Sequence, residues 1–571
     1  MITQFDVDGV PALFTPATGP MRAGLAFRVG FADEPLPKRG ITHLLEHLAL
    51  YSAGVADYHY NGATGVENTF FHLQGSESDI VTFLNGVCAS LLEPPLHRLA
   101  VEKEILRTEA SSRRNGVNER MPMWRYGARD YGLVSFPEWG LTGITADDLN
   151  AWVARYFVRQ NCVLWIAGSA MPEGLKLTLP EGARQPAPAP SSALPATPAY
   201  FAGSSGAVLW DSVVRRETAA GIFAGVLERV MFRSLRQEGG LSYTVQTDYE
   251  PRDDGNAVIT AVADALPDKQ GAVLGGFIDV LATMRVGRID PADVTTVVNQ
   301  RISALEQAEE QGGRLPGQAF NLLAGRPVQS LEEALAETRA VTRADVVRVA
   351  AAAYADGLLM TPEGSGADWA GYVAAPTASE RAVAGQPYPS LEDPRTRLIL
   401  GEEGISIADD DEVATVRFDG CATVLAWPDG ARQFIGADGI SVRAEPTLYH
   451  GLGAAIPWLD ARVPYHLRCE MPARDADRIP RPEPVAWSGP VPGAPSAPGQ
   501  PRSGGKTGAI VTIALLSPIG LIALLLALTG LLTISDGSDR GVDIAVTIFL
   551  ALVAAGAGVG VGLAVRHLRR R

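Results

Sequence analysis

Two stretches near the C-terminus constrain this 571-residue chain more than any other feature. Across residues 507–535 no side chain is charged, and Leu, Ile and Ala dominate. That run exceeds the roughly 20 residues an α-helix needs to cross the hydrocarbon core of a bilayer. A second run, 544–565, is just long enough, and the connection between the two is short and polar, with Asp536, Asp539, Arg540 and Asp543. The pair reads as a hairpin of two transmembrane helices. Arg502 and Lys506 precede it, and Arg566, His567, Arg569, Arg570 and Arg571 follow it. The positive-inside bias therefore puts both termini, and everything before the hairpin, on the cytoplasmic side of the cell membrane.

What precedes the hairpin is globular and acidic. With 64 acidic and 49 basic residues the net charge is −15, and 46% of the chain is hydrophobic. Such a chain is neither disordered nor suited to nucleic acid, and its length implies about three or four structural units. The four cysteines, Cys88, Cys162, Cys421 and Cys469, lack the spacing of a zinc knuckle or a disulfide framework and fit a reducing compartment. Acids occupy the N-terminus, where a secretory signal needs a basic n-region and an apolar core.

The pattern predicts an α+β chain. Residues 1–184 mix alternating and helical apolar stretches and approach their end with the short apolar strand Cys162–Gly168. A linker rich in Pro and Ala follows at 185–200, with Pro186, Pro188, Pro190, Pro195 and Pro198. Residues 201–370 run strand, long helix, strands, helices, with a helix over 217–236 and a strand over 257–263, like a second copy of the first unit. In 373–479 the texture changes to short strands. Pro428-Asp429-Gly430 and Ala437-Asp438-Gly439 each lie between alternating strands and predict antiparallel hairpins in a small all-β domain. A Pro- and Gly-rich tether, 480–506, leads to the hairpin.

The chemistry concentrates in His43-Leu44-Leu45-Glu46-His47, inside the apolar helical run 40–51. Residues i and i+4 of a helix share one face, so both imidazoles can reach one ion with Glu46 close by. Two histidines and a third, carboxylate ligand leave one coordination position open, the arrangement with which a catalytic zinc holds and acidifies water. A helix with two half-buried histidines is the blander reading. Only eight histidines occur in the chain, which makes a chance match uncommon, and the order is that of the inverzincin motif.

Other segments carry the pattern further: 7–14 (Val-Asp-Gly-Val-Pro-Ala-Leu-Phe), Arg28-Val29-Gly30, Gly40-Ile41-Thr42, Asn61-Gly62 and Glu67-Asn68-Thr69-Phe70-Phe71. Gly143-Ile144-Thr145-Ala146-Asp147-Asp148-Leu149 follows, with Tyr156-Phe157 and Asn161. Over roughly residues 1–360 the sequence resembles the M16 metallopeptidases, which include pitrilysin, insulin-degrading enzyme and the mitochondrial processing peptidase.

The resemblance implies two tandem M16-type α/β units with Zn²⁺ held by His43, His47 and Glu109. Glu46 would be the general base that activates the zinc-held water. Glu102, seven residues before Glu109 and on the same helix face, would orient a ligand or that water. Glu104 beside it reads as a solvated side chain. The gap from His47 to Glu109 is somewhat shorter than is usual in the family. Arg236 and Tyr243, in Leu235-Arg236-Gln237-Glu238-Gly239-Gly240-Leu241-Ser242-Tyr243, are similar to the family's Arg and Tyr pair, which holds substrate backbone or the developing oxyanion. A helix C-cap at Gly239-Gly240 with a structural Tyr reads the same stretch.

Family members close two halves of two units each around a peptide, so this chain implies a homodimer or a second M16-like subunit. Peptide or unfolded protein would add as a strand near residues 61–71. The expected function is a membrane-anchored zinc endopeptidase. The alternatives are an inactive M16-like subunit or scaffold that pairs with a peptidase, and an adaptor that recognises its partners through the β domain.

Overall fold

Strands with alternating apolar residues build a six-stranded mixed sheet: β1 (Thr3–Val7), β2 (Val10–Pro16), β3 (Met21–Phe27), β4 (His59–Thr64), β5 (Thr69–Gly75) and β6 (Cys162–Gly168). Their order is β1-β2-β6-β3-β5-β4. Strand β6 lies inside, parallel to β2 and antiparallel to β3. Both its faces are covered, which is why its sequence is continuously apolar. The structure, a computed structural model, describes residues 2–51, 59–112, 120–204, 206–310 and 312–482. Helices α1 (Ile41–Tyr51), α2 (Glu77–Leu92), α3 (Leu99–Ser112), α4 (Met121–Tyr126) and α5 (Ala146–Tyr156) accompany this sheet. Capping boxes at Ser76/Asp79 and Thr145/Asp148 start α2 and α5 by satisfying otherwise orphaned N–H groups. The core joins Leu44, Leu45 and Leu48 of α1 with Phe83, Leu84 and Val87 of α2 and the inner residues of β3, β5 and β6.

The second sheet comprises β7 (Ala199–Ser204), β8 (Ala207–Arg215), β9 (Val245–Pro251), β10 (Asn256–Asp264), β11 (Leu358–Pro362) and β12 (Val373–Ala374). Its order, β12-β7-β11-β8-β10-β9, repeats that of the first. Strand β11 is parallel to β7 and antiparallel to β8, as β6 is to β2 and β3, and β9 occupies the edge as β4 does. Helices α6 (Thr218–Met231), α7 (Gln270–Arg285), α8 (Pro291–Glu310), α9 (Leu315–Leu323), α10 (Leu331–Ala340) and α11 (Arg343–Asp356) belong to it. The helix expected over 217–236 continues past α6 as a π-helical stretch, Phe232–Glu238. Helix α6 follows β8 as α1 follows β3, yet it contains no histidine.

The two halves exchange short helices. Met121 and Trp124 of α4 pack on the second sheet, where the Trp124 ring stacks 4.7 Å from Phe201. Leu315, Ala319 and Leu323 of α9 pack on the back of the first sheet against Leu13, Ala26 and Val163. Buried Arg125 reaches Asp356 at 2.9 Å and pairs with Asp211. The proline-rich segment between the sheets is pinned to this seam: Arg28 donates to the Pro186 carbonyl (2.8 Å), and Ala193 N–H donates to the Arg125 carbonyl (2.8 Å).

Two four-stranded sheets follow. One is the antiparallel series β13 (Gly385–Pro389), β14 (Arg397–Gly401), β15 (Gly404–Ala408) and β16 (Val413–Arg417). The other is β17 (Cys421–Ala426), β18 (Arg432–Gly436), β19 (Ser441–Ala444) and β20 (Arg468–Glu470), ordered β19-β18-β17-β20. They share a core with the short helix α12 (Ile456–Asp460). Gly430 and Gly439 take φ of 94° and 90° in the turns flanking β18, a region that L side chains rarely adopt. Residues 507–535 and 544–565 lie outside the described residues, so the expected hairpin does too. Among the described residues no helix is long and apolar enough to cross a membrane.

Candidate metal centre

Helix α1 is positioned from its N-terminus. The buried carboxylate of Glu34 accepts the Gly40 and Thr42 N–H groups, each at 2.9 Å, two donors that a helix start leaves without an intrahelical partner. Burial raises the Glu34 pKa, and the Arg39 guanidinium 3.0 Å away opposes that shift. This end fixes the helix, and the i, i+4 spacing then puts His43 and His47 on one face with ring centroids 5.0 Å apart.

The third group comes from α3, where Glu102 and Glu109 lie two turns apart. Glu109 Oε1 stands 3.6 Å from His47 Nε2, and Glu109 Oε2 stands 4.0 Å from His43 Nε2. One ligand atom from each of His43, His47 and Glu109 lies within 4.8 Å of the other two. Tetrahedral ligands at 2.0–2.1 Å from zinc would be about 3.3–3.4 Å apart, so small side-chain rotations would close the set on one ion. The donors, two imidazoles and a carboxylate, suit zinc and leave a position open.

The outer nitrogens of both histidines face carboxylates. His47 Nδ1 lies 3.5 Å from Glu102 Oε2, and Arg98 holds the other Glu102 oxygen at 2.8 Å. His43 Nδ1 lies 2.9 Å from Oε1 of Glu138, a residue that sequence reasoning missed. Ninety-five positions separate Glu138 from His43, and no motif links the two. Glu104 points outward to Arg107.

Glu46 is turned toward β4. Side chains alternate along a strand, so Tyr60, Gly62 and Thr64 share a face. Thr64 Oγ1 donates to Glu46 Oε2 at 2.8 Å. Glu46 also lies so close to Gly62 that a Cβ there would come within 2.9 Å of its Cγ and Oε1. Burial is the largest influence on the Glu46 carboxyl and raises its pKa, while His43, the Thr64 hydrogen bond and His47 pull the other way.

Arg236 and Tyr243 come together elsewhere. The guanidinium lies 4.6 Å over the Tyr243 ring, which is 75% exposed, and 4.9 Å over Phe232. Among the described residues neither touches the His43, His47 and Glu109 cluster. The helix end there is also capped: Gly240 takes φ of 56°, and Leu241 N–H donates to the Leu235 carbonyl at 2.8 Å.

A helix with the His-x-x-Glu-His order of the inverzincin motif is joined by a carboxylate from a later helix, on one half of a duplicated α/β fold, in a group that could hold a metal ion. The fold itself is that of M16 peptidases and M16-like domains. A protease from Helicobacter pylori superposes with a TM-score of 0.54 at 15% identity, over 63% of this chain and 99% of that one. A peptidase M16 inactive domain from Pseudomonas fluorescens gives 0.54 at 14% identity, over 67% and 100%. A chain of complex III from Candida albicans gives 0.53 at 14% identity, over 63% and 96%. No protein-family model matches the sequence, and no curated protein does.

Proposed function

We propose that this protein is a zinc metalloendopeptidase that hydrolyses peptides or unfolded segments. The observation that carries the reading is the convergence of His43, His47 and Glu109, with Glu46 buried one helical turn from His43 and hydrogen-bonded by Thr64 of β4. When bound, the ion would polarise a peptide carbonyl and lower the pKa of water.

The chain's own groups do the rest. Glu138 and Glu102 hold the imidazoles with Nδ1 turned outward, which leaves both Nε2 atoms facing Glu109. Glu46 accepts the proton from the attacking water and returns it to the leaving amine, and burial makes it a better acceptor than an ordinary carboxylate. Thr64 fixes the carboxylate orientation. Strand β4 is the sheet edge beside Glu46, so an extended peptide can pair with it by backbone hydrogen bonds and lie across the site.

Arg236 and Tyr243 are offered to substrate from a partner. Tyr243 is exposed and Arg236 half-buried over its ring, with no contact to the cluster of their own chain among the described residues, so a homodimer, or a second M16-like subunit, would supply them in trans. The two apolar runs at 507–535 and 544–565 would anchor the assembly to the cytoplasmic face of the cell membrane.

The test is cleavage of a quenched peptide by the purified chain, with metal content measured before and after chelation. Activity should need zinc, and Glu46→Gln should keep the metal while losing about 10²- to 10⁴-fold in turnover. An intact zinc site without hydrolysis in the wild type would instead make the chain an inactive M16-like subunit or scaffold; its Pseudomonas fluorescens neighbour is described as a peptidase M16 inactive domain.

A further inference from the structure

The loop that carries Glu138 is held from outside the M16-like halves. Ile435 of β18, 1% exposed, packs in one cluster with Leu36, Ala128, Leu133 and Phe136, flanked by Ala422 of β17 and Trp139. Ala128 N–H donates to the Ala437 carbonyl at 3.0 Å. Gly127 is indispensable at this contact: it takes φ of 77°, and a Cβ there would come within 2.1 Å of the Ala437 oxygen. On the other flank, the buried Cys469 thiol of β20 lies 3.6 Å from the Pro37 carbonyl.

These contacts converge on the start of α1. Gly140 has no room for a Cβ, which would lie 2.5 Å from the Lys38 carbonyl carbon and 2.6 Å from Arg39 N, so residues 136–142 lie flat on residues 36–39. Arg39 donates to the Leu133 carbonyl (3.2 Å) and pairs with Glu34 (3.0 Å), which holds the first turn of α1. The same guanidinium lies 3.8 Å from Glu138 Oε1, which contacts His43 Nδ1. The side chains of Glu138 and His43 are each 8% exposed, so little water competes for this contact.

We propose that Glu138 is a positioning residue for the metal site, fixing the tautomer and ring plane of His43, and that the C-terminal β domain is the buttress that keeps it in place. The inference rests on the reading of His43, His47 and Glu109 as the ion's ligands. A carboxylate on the far nitrogen of a ligating histidine raises its basicity and orients the ring, and losing one costs 10- to 100-fold in metal affinity. The β domain is then a structural part of the metal centre and not a detachable adaptor.

Zinc affinity of the full chain, measured by competition with a chromogenic chelator, tests this without reference to turnover. Glu138→Ala should bind zinc about 10- to 100-fold more weakly, and Glu138→Gln, which keeps an oxygen acceptor of the same reach, should recover part of the loss. The unfolding midpoint of the metal-free protein should stay close to wild type in both. Ile435→Ala, which touches no ligand, should weaken zinc several-fold, whereas Ile405→Ala, the same truncation in the β-domain core away from the loop, should not. If Ile435→Ala does not fold, Ile435→Val carries the comparison.

Equal zinc affinity in wild type and Glu138→Ala overturns the proposal, as does an equal loss in Ile435→Ala and Ile405→Ala. A wild-type chain that binds no zinc overturns the functional reading itself, and the two failures are told apart by that single control.

Discussion

Gly62→Ala tests whether the position of Glu46 matters apart from the ligands. The added Cβ would stand 2.9 Å from Glu46 Cγ and Oε1 and 3.0 Å from Leu50 Cδ1. Carbon atoms rest about 3.5–4.0 Å apart, so Glu46 must retreat by roughly 0.6–1 Å. Gly62 sits on a strand with no positive φ, and alanine strains no backbone there. A misplacement of about 1 Å at a reacting centre costs about 10²-fold, and the expected fall in kcat is about 10- to 100-fold. The ligands His43, His47 and Glu109 are untouched, so zinc stoichiometry should stay at the wild-type value. Overpacking should cost about 1–3 kcal/mol, visible as a lower unfolding midpoint but not as unfolding at 25 °C. The assay pairs quenched-peptide hydrolysis with metal analysis of the same preparation. Wild-type turnover in Gly62→Ala would refute the role given to Glu46, and parallel loss of zinc would trace the effect to the ligands.

Three further outcomes are expected. Burial, with Asp253 second, pushes the Glu67 carboxyl from 4.5 up to about 7, against the Tyr131 hydrogen bond and Arg252. The folded chain holds this proton more tightly than the unfolded one, so stability is lost as pH rises from about 4.5 to about 7, by about 3 kcal/mol at most. Glu67→Gln should flatten the decline in unfolding midpoint between about pH 5 and pH 8, and an unchanged slope would count against it. Arg125→Ala leaves buried Asp211 without its cation and should cost about 3–5 kcal/mol in denaturant unfolding; a cost under about 1 kcal/mol would show that the seam does not depend on the pair. Deleting residues 507–571 should move the protein from the membrane fraction to the supernatant, and continued sedimentation with membranes would place the anchor elsewhere.

What the sequence discloses about the fold follows period and locality. The run 40–51 is α1 to within one residue, Cys162–Gly168 is β6, and both Asp-Gly turns sit at the ends of β18, because each signal is complete within a few neighbouring residues. Glu102 and Glu109 come from the resemblance to the M16 peptidases, and local spacing adds only that, two turns apart, they share a helix face. Glu138, Thr64 and Glu34 are not legible. Each meets α1 only through the packing of a distant or irregular segment, and a lone Glu in Pro137-Glu138-Trp139-Gly140 has no spacing that points to a histidine 95 residues away. The exchange of α4 and α9 is hidden likewise: both are short, and nothing in their apolar residues says which sheet they cover.

That exchange bears on how the two halves of the chain are held rigid against each other. Each sheet has its helix-bearing face closed by its own helices and part of the other face closed by a helix from the opposite half, so neither half can shift without exposing apolar residues of both. Strands β4 and β9 occupy equivalent edges of the two sheets, opposite the edges formed by β1 and β12. The first edge carries the Glu46 contact through Gly62 and Thr64, while the second lies just past Tyr243, whose N–H is held by Asp264 Oδ1 at 2.8 Å. Duplication thus supplies two equivalent edges, and the His-x-x-Glu-His sequence occurs in α1 beside the first and not in α6 beside the second. A rigid pair of unlike edges in each protomer is the geometry that a two-fold partner would need to bring the second edge of one copy over the first edge of the other.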